Sequence, residues 1–250
     1  MLISSPKKER KKWRKKMKEG MLCFGDRFLL RWKSLGTSHY ASFQRYRMSS
    51  STPTVDFYCV RWLDKPNVEQ LRHNTLKAHL EYIEKINCVS LGGPLLDKNN
   101  TEQGRILLLQ GVDRAKVEQY IQQDPFQNIL SSVNLTLFKR VKDFPSRWPA
   151  SVYVVYCLDD PTKEHIRIEY RPQHRSWWQN ETRVVTVGPM ASLDDSSSLI
   201  GSLFFVTGES VDQVQHWASQ DPYAKAGLFQ QVSVYRWKRV VENTKVVAAI

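Results

Sequence analysis

The chain lacks any apolar run approaching the roughly 20 residues that a spanning helix needs. Cysteine is scarce as well. Cys23, Cys59, Cys88 and Cys157 are the only 4 in 250 residues, and none stands at a metal-ligand spacing from another. No secretory signal is legible, so reduced thiols are expected rather than a disulfide framework, and Asn134-Leu135-Thr136 carries no weight as a glycosylation acceptor. Cys59 and Cys157 lie in apolar, strand-like runs and read as small buried hydrophobes. Acidic residues are nearly missing from the first fifty positions. Glu9, Glu19 and Asp26 stand there against 14 Lys and Arg, a net of +11. The remainder holds 37 − 14 = 23 basic and 25 − 3 = 22 acidic residues, a net of +1. The formal charge of +12 is therefore the property of an N-terminal arm. The near-neutral remainder counts against a nucleic-acid partner, except nonspecifically through that arm.

Residues 1–52 read as a basic targeting or disordered arm. The run Lys7–Lys16 repels itself and stays solvated; a nuclear signal and a phosphate-binding tail remain alternatives. Met21–Ser51 is basic, Ser-rich and holds Asp26 as its single acid, the composition of a mitochondrial transit peptide. It reads more naturally with Met21 as the start. A mitochondrial address is expected, with the nucleus and the cytoplasm as alternatives.

What the chain does have is repetition. Leu63-Asp64-Lys65-Pro66 recurs as Leu158-Asp159-Asp160-Pro161, Arg72 as Arg167, His79 as His174, and Gly93-Pro94 as Gly188-Pro189, each 95 positions on (158 − 63, 167 − 72, 174 − 79, 188 − 93). The offset then becomes 97, as Gly104 matches Gly201 and Asp124-Pro125-Phe126 matches Asp221-Pro222-Tyr223 (201 − 104, 221 − 124). A period this long marks two copies of a domain rather than a solenoid, whose unit is about 20–50 residues. The copies are assigned to 53–142 and 150–241, with a short linker carrying Pro145 and Pro149 between them.

In copy one, Val55–Trp62 is β-branched and aromatic, hence a strand. Val68–Ile86 has helical periodicity, Cys88–Leu96 and Arg105–Gln110 are strands, Ala115–Gln122 is a helix capped by Asp113, and Leu130–Val141 is a strand. Copy two repeats the order with Ser151–Leu158, Lys163–Gln179, Val184–Met190, Ser202–Val206, Val211–Ser219 and Gln230–Val240. The order β-α-β-β-α-β is the ferredoxin-like arrangement. The fold class is α+β, with two such repeats whose sheets face each other as an intrachain pseudo-dimeric α+β barrel.

The polar signals kept in both copies are Arg-x6-His on the first helix and Asp-Pro-aromatic after the second. Arg72 and His79 are two helical turns apart and share a face. Helices on one side of a sheet can bring the histidine to the carboxylate, which then fixes the tautomer and leaves the other ring nitrogen as a base. A structural duty for both residues fits the spacing equally. Trp177, Trp178, Trp217 and Trp237 fit either an aromatic pocket or core.

The run Gly188-Pro189, Gly201-Ser202 and Asp221-Pro222-Tyr223-Ala224-Lys225-Ala226-Gly227-Leu228-Phe229, closed by Val232-Ser233-Val234-Tyr235-Arg236-Trp237, resembles the YCII-related family. Copy one resembles it more loosely, with Gln127-Asn128-Ile129-Leu130 in place of Ala-Gly-Leu-Phe and Arg105 where Ser is usual. The resemblance implies a dimeric α+β barrel and a cofactor-free His-Asp active site. It also implies a small-molecule lyase activity, since at least one member is a dehydrochlorinase of a chlorinated hydroxyquinol. Carried over by motif, the site residues are His79, Asp124 and Arg72 in copy one and His174, Asp221 and Arg167 in copy two. No cofactor or metal is expected. The alternative is a catalytically silent scaffold or ligand-binding module, as part of a mitochondrial assembly. An interior Pro172 costs a helix about 3 kcal/mol and kinks it. Copy one is therefore expected to hold the better-formed dyad, with the pKa of His79 raised by Asp124 at a helix C-terminus.

Overall fold

A computed structural model of the chain describes residues 56–248. The arm over 1–52, Cys23 and Val55 lie outside the described residues. Repeat one runs β1 (Asp56–Asp64), α1 (Glu69–Ile86), β2 (Val89–Leu96), β3 (Glu102–Leu109), α2 (Arg114–Gln123) and β4 (Leu130–Lys139). Repeat two runs β5 (Val152–Asp159), α3 (Glu164–Glu169), α4 (Arg171–Gln179), β6 (Val184–Ala191), β7 (Leu199–Thr207), α5 (Val211–Ala218), α6 (Pro222–Lys225) and β8 (Phe229–Trp237). A short hairpin, β9 (Val241–Glu242) and β10 (Lys245–Val246), follows and pairs with β2. Its turn residues Asn243 and Thr244 both have positive φ, with Thr244 where the usual Asn-Gly hairpin signal has glycine.

The strands of the two repeats follow the same order, β2-β3-β1-β4 and β6-β7-β5-β8, all antiparallel. Two short ladders join them. Leu137 and Phe138 of β4 pair with Ala191 and Met190 of β6, and Trp237 and Arg236 of β8 pair with Leu95 and Leu96 of β2. Eight strands thus close into the expected barrel. Registers match across the repeats: Phe57 faces Phe138 as Val152 faces Trp237. The offset on the closing strands has grown to 99 (237 − 138), so two further residues enter after the Asp-Pro turn.

Alternation along each strand sends one set of side chains into the barrel and the other against the helices. The lumen holds Phe57, Cys59, Leu108, Val154, Tyr156, Phe205 and Trp237 among others. Separate helix-side cores form under α1 and α2 around Trp62, Ile83 and Val117, and under α4 and α5 around Trp178, Phe204 and Trp217. Trp178 and Trp217 are thus core, and Trp237 belongs to the barrel. Cys59, Cys88 and Cys157 are free and buried, and burial pushes the Cys59 thiol up to about 12.

The two Gly-Pro motifs are explained at the seams. A Cβ on Gly93 would lie 1.9 Å from the carbonyl oxygen of Lys238, and one on Gly188 would lie 2.1 Å from that of Lys139. Only glycine admits the neighbouring repeat's strand at this distance. Asp113 caps α2 as expected, its carboxylate accepting from Lys116 N at 2.8 Å. The helix expected over Lys163–Gln179 is instead two helices that meet at Tyr170. Pro172 then falls in the first turn of α4, where a missing N–H costs nothing.

Candidate active site

Each Asp-Pro-aromatic motif is a device in itself. Proline makes the preceding residue extended, and Asp124 has φ −64 and ψ 130, while Asp221 has φ −56 and ψ 129. In that conformation the carboxylate turns back onto its own chain. Oδ1 of Asp124 accepts from Phe126 N at 2.8 Å, and Oδ1 of Asp221 accepts from Tyr223 N at 2.9 Å. The remaining capacity of each carboxylate goes to the histidine. His79 Nδ1 lies 2.8 and 3.0 Å from the two oxygens of Asp124, and His174 Nδ1 lies 2.8 and 3.0 Å from those of Asp221. The third residue of the motif supplies a platform. His79 stacks on Phe126 with centroids 4.1 Å apart, and His174 stacks on Tyr223 at 4.0 Å. That platform was missed in the sequence, although an aromatic residue at the same place in both copies was the signal for it.

The expectation that copy one holds the better-formed pair is corrected by these distances, which are the same in both. The helix break at Tyr170 lets α4 start afresh and deliver His174 to Asp221 without strain in register. The two arginines do not touch the histidines. Arg72 donates from Nε and Nη2 to Asp64 Oδ2 at 2.9 and 2.6 Å, tying the end of β1 to α1. Arg167 makes the matching two-pronged pair with Asp159, and its guanidinium lies 4.8 Å over the Tyr223 ring. Arg167 thus braces the platform of its dyad, whereas Arg72 braces only the helix that carries His79.

The surroundings differ. In repeat two, Ser202 accepts from Arg167 Nη2 at 3.2 Å. At the matching position of repeat one stands Arg105, fully buried, ion-paired with Glu102 and 3.9 Å over the Phe126 ring. This second guanidinium occupies the face of the platform that Arg167 takes in repeat two. It also overturns the expected rise in the pKa of His79. Burial, then the Arg105 cation, lower it to about 4 against the pull of Asp124. The carboxylate and the helix end lie in the His-Asp motif itself, whereas the cation arrives from another strand.

An ionised carboxylate only accepts, so Nδ1 carries the proton in both rings and Nε2 keeps its lone pair. Neither Nε2 makes a hydrogen bond among the described residues, and neither is among their sealed-off polar atoms. The arrangement can accept a proton at Nε2 while the carboxylate steadies the imidazolium. Among the described residues no cluster of His, Cys, Asp or Glu can hold a metal ion, and no helix is long and apolar enough to cross a membrane.

Comparison with known proteins identifies relatives of the chain. Residues 151–238 match the YCII-related domain. The chain is 34% identical over 96 residues to protein YciI of Escherichia coli O6:H1, covering 36% of this chain and 98% of that protein. Among solved structures, a mutant chlorite dismutase from Candidatus Nitrospira defluvii, in complex with cyanide, shares the fold with a TM-score of 0.51. It has 10% identity, over 75% of this chain and 92% of that one. The 5-chloro-2-hydroxyhydroquinone dehydrochlorinase of Burkholderia phenoliruptrix AC1100, in complex with 2,5-dihydroxybenzoquinone, is 28% identical over 35% of this chain and 93% of its own, with a TM-score of 0.33. Matched along nearly all of the Escherichia coli protein and through the whole of repeat two, the chain belongs to the YCII-related domain family.

Proposed function

We propose that the His174–Asp221 dyad is the working site and that it moves protons on a small oxygenated ring compound without a cofactor, as a lyase of the dehydrochlorinase type. The observation that carries this reading is the Nδ1 of His174 held by both oxygens of Asp221, with Nε2 unengaged and Ser202 standing where repeat one has the buried Arg105. On a chlorinated hydroxyquinol, Nε2 takes a hydroxyl proton and the imidazolium returns it to the ring carbon that bears chlorine. Loss of a second hydroxyl proton then expels chloride. The net change is loss of HCl, with no outside oxidant.

Chloride release from 5-chloro-2-hydroxyhydroquinone tests it. His174→Ala is expected to lower the rate by about 100-fold or more, the usual contribution of a general base, while His79→Ala leaves most of it. Full activity in His174→Ala, or its loss only in His79→Ala, would refute the assignment. A second reading, a silent scaffold or binding module, is favoured by the burial of both rings, His79 at 2% and His174 at 6% exposure. It predicts no chloride release from the unmodified chain.

We further propose that repeat one is a diverged copy of the same domain, since it keeps the strand order, the dyad and its distances. The basic, acid-poor arm supports a mitochondrial address, also as a proposal. A fluorescent reporter carrying residues 1–52 should accumulate in mitochondria, and accumulation in the nucleus would point to Lys7–Lys16 instead.

A further inference from the structure

A cleft of about 660 Å³ opens away from both dyads, at the seam where β8 meets β2. Trp148 of the linker and Trp237 supply its aromatic wall, and Arg236, Lys238 and Arg239 its basic one, with Glu102 as the acid. The size is that of an ordinary small-molecule site.

Its charges do not cancel. Arg239 is ion-paired with Glu242, and Glu102 is engaged by Arg72 and Arg105. Among the described residues Arg236 has only the amide oxygen of Asn100, at 2.7 Å. Lys238 has no side-chain partner among the described residues. Two cations therefore border the cleft without a counter-ion among the described residues. Beside them the indoles of Trp148 and Trp237 lie 5.3 Å apart. Trp237 is 4% exposed, and its Nε1 is a buried donor with no acceptor. Such a donor costs about 1–3 kcal/mol until something accepts from it.

The fold does not impose this chemistry. The matching seam, where β4 meets β6, carries Leu137 in the place of Arg236 and Phe138 in the place of Trp237.

We propose that this cleft binds a planar aromatic carboxylate, its ring against Trp148 at the edge of Trp237 and its carboxylate on Arg236 and Lys238. Guanidinium and ammonium groups pair with a carboxylate by charge-assisted hydrogen bonds, and the Trp148 indole takes the ring. Neither dyad needs to turn over a substrate for this to hold.

Calorimetric titration of the whole chain with 2-naphthoate, and with its neutral analogue 2-naphthamide, tests it. The naphthoate should bind saturably. The naphthamide, and naphthoate with the R236Q/K238Q variant, should each bind about tenfold more weakly, as expected for losing charged hydrogen bonds. His174→Ala should bind naphthoate like the unmodified chain. Both altered residues are exposed, and if the variant nonetheless fails to fold, ionic strength gives the same answer, because the affinity of the unmodified chain should fall as salt rises. No saturable heat at millimolar naphthoate would overturn the proposal. So would equal affinity for naphthamide, salt-independent binding, or binding lost in His174→Ala and kept in R236Q/K238Q.

Discussion

Gly93→Ala and Gly188→Ala are each expected to lower stability by roughly 3 kcal/mol, the upper end of what overpacking costs. A methyl group at either position would meet a backbone carbonyl oxygen, at 1.9 Å for Lys238 O and 2.1 Å for Lys139 O. Neither oxygen can swing aside as a side chain would. Each belongs to the chain just beyond or within a closing strand, so relief requires the seam between the repeats to open. With a urea slope of about 1–3 kcal/mol per molar, the unfolding midpoint should fall by about 1 M or more. Gly111→Ala is the control. Its φ of +76 strains a methyl-bearing residue, but nothing lies within 4 Å of the added atom, so the loss should be only about 1 kcal/mol. Midpoints of the two seam variants equal to that of the control would show that the seams tolerate separation.

The second large effect is an acid sensitivity seated at His79. Its ring titrates near 6.5 in the unfolded chain and at about 4 in the folded one. Above the higher value both states are neutral and the full stability is present. As pH falls from 6.5 toward 4, the unfolded chain takes up a proton that the folded chain refuses, and stability drains away. The whole window is worth about 3 kcal/mol, of which about 2 are gone by pH 5. Urea unfolding at pH 7.5 and at pH 5 should show this difference in the unmodified chain and much less of it in His79→Gln. Equal slopes in the two proteins would mean that His79 titrates as it does in water. Arg105→Ser should act in the same direction as His79→Gln, because the cation is the second cause of the depression.

The repetition in the sequence made much of this molecule readable in advance. Two copies of Arg-x6-His and Asp-Pro-aromatic, at fixed offsets, identified both dyads, since an Asp-Pro turn is set by local backbone rules and a helix face by its period. Features that depend on meeting residues from several segments were not readable. Arg105 reaches Phe126 and Glu102 only because the β3 register and the Asp-Pro turn place them together, and its effect on His79 follows from that. The helix break at Tyr170 depended on whether the chain would kink at Pro172 or restart there. The uncompensated Arg236 and Lys238 are ordinary strand-end bases until the linker brings Trp148 beside them.

The barrel closes between segments of one covalent chain. In an assembly of two identical chains, any substitution appears at both dyads at once, and closure depends on protein concentration. Here closure is unimolecular, so the melting temperature should not change on dilution for reasons of barrel assembly. Each half is also free to change alone. Arg105 with Glu102 on one side, and Ser202 with Leu199 on the other, are the kind of difference that a tethered pair can keep and a pair of identical chains cannot.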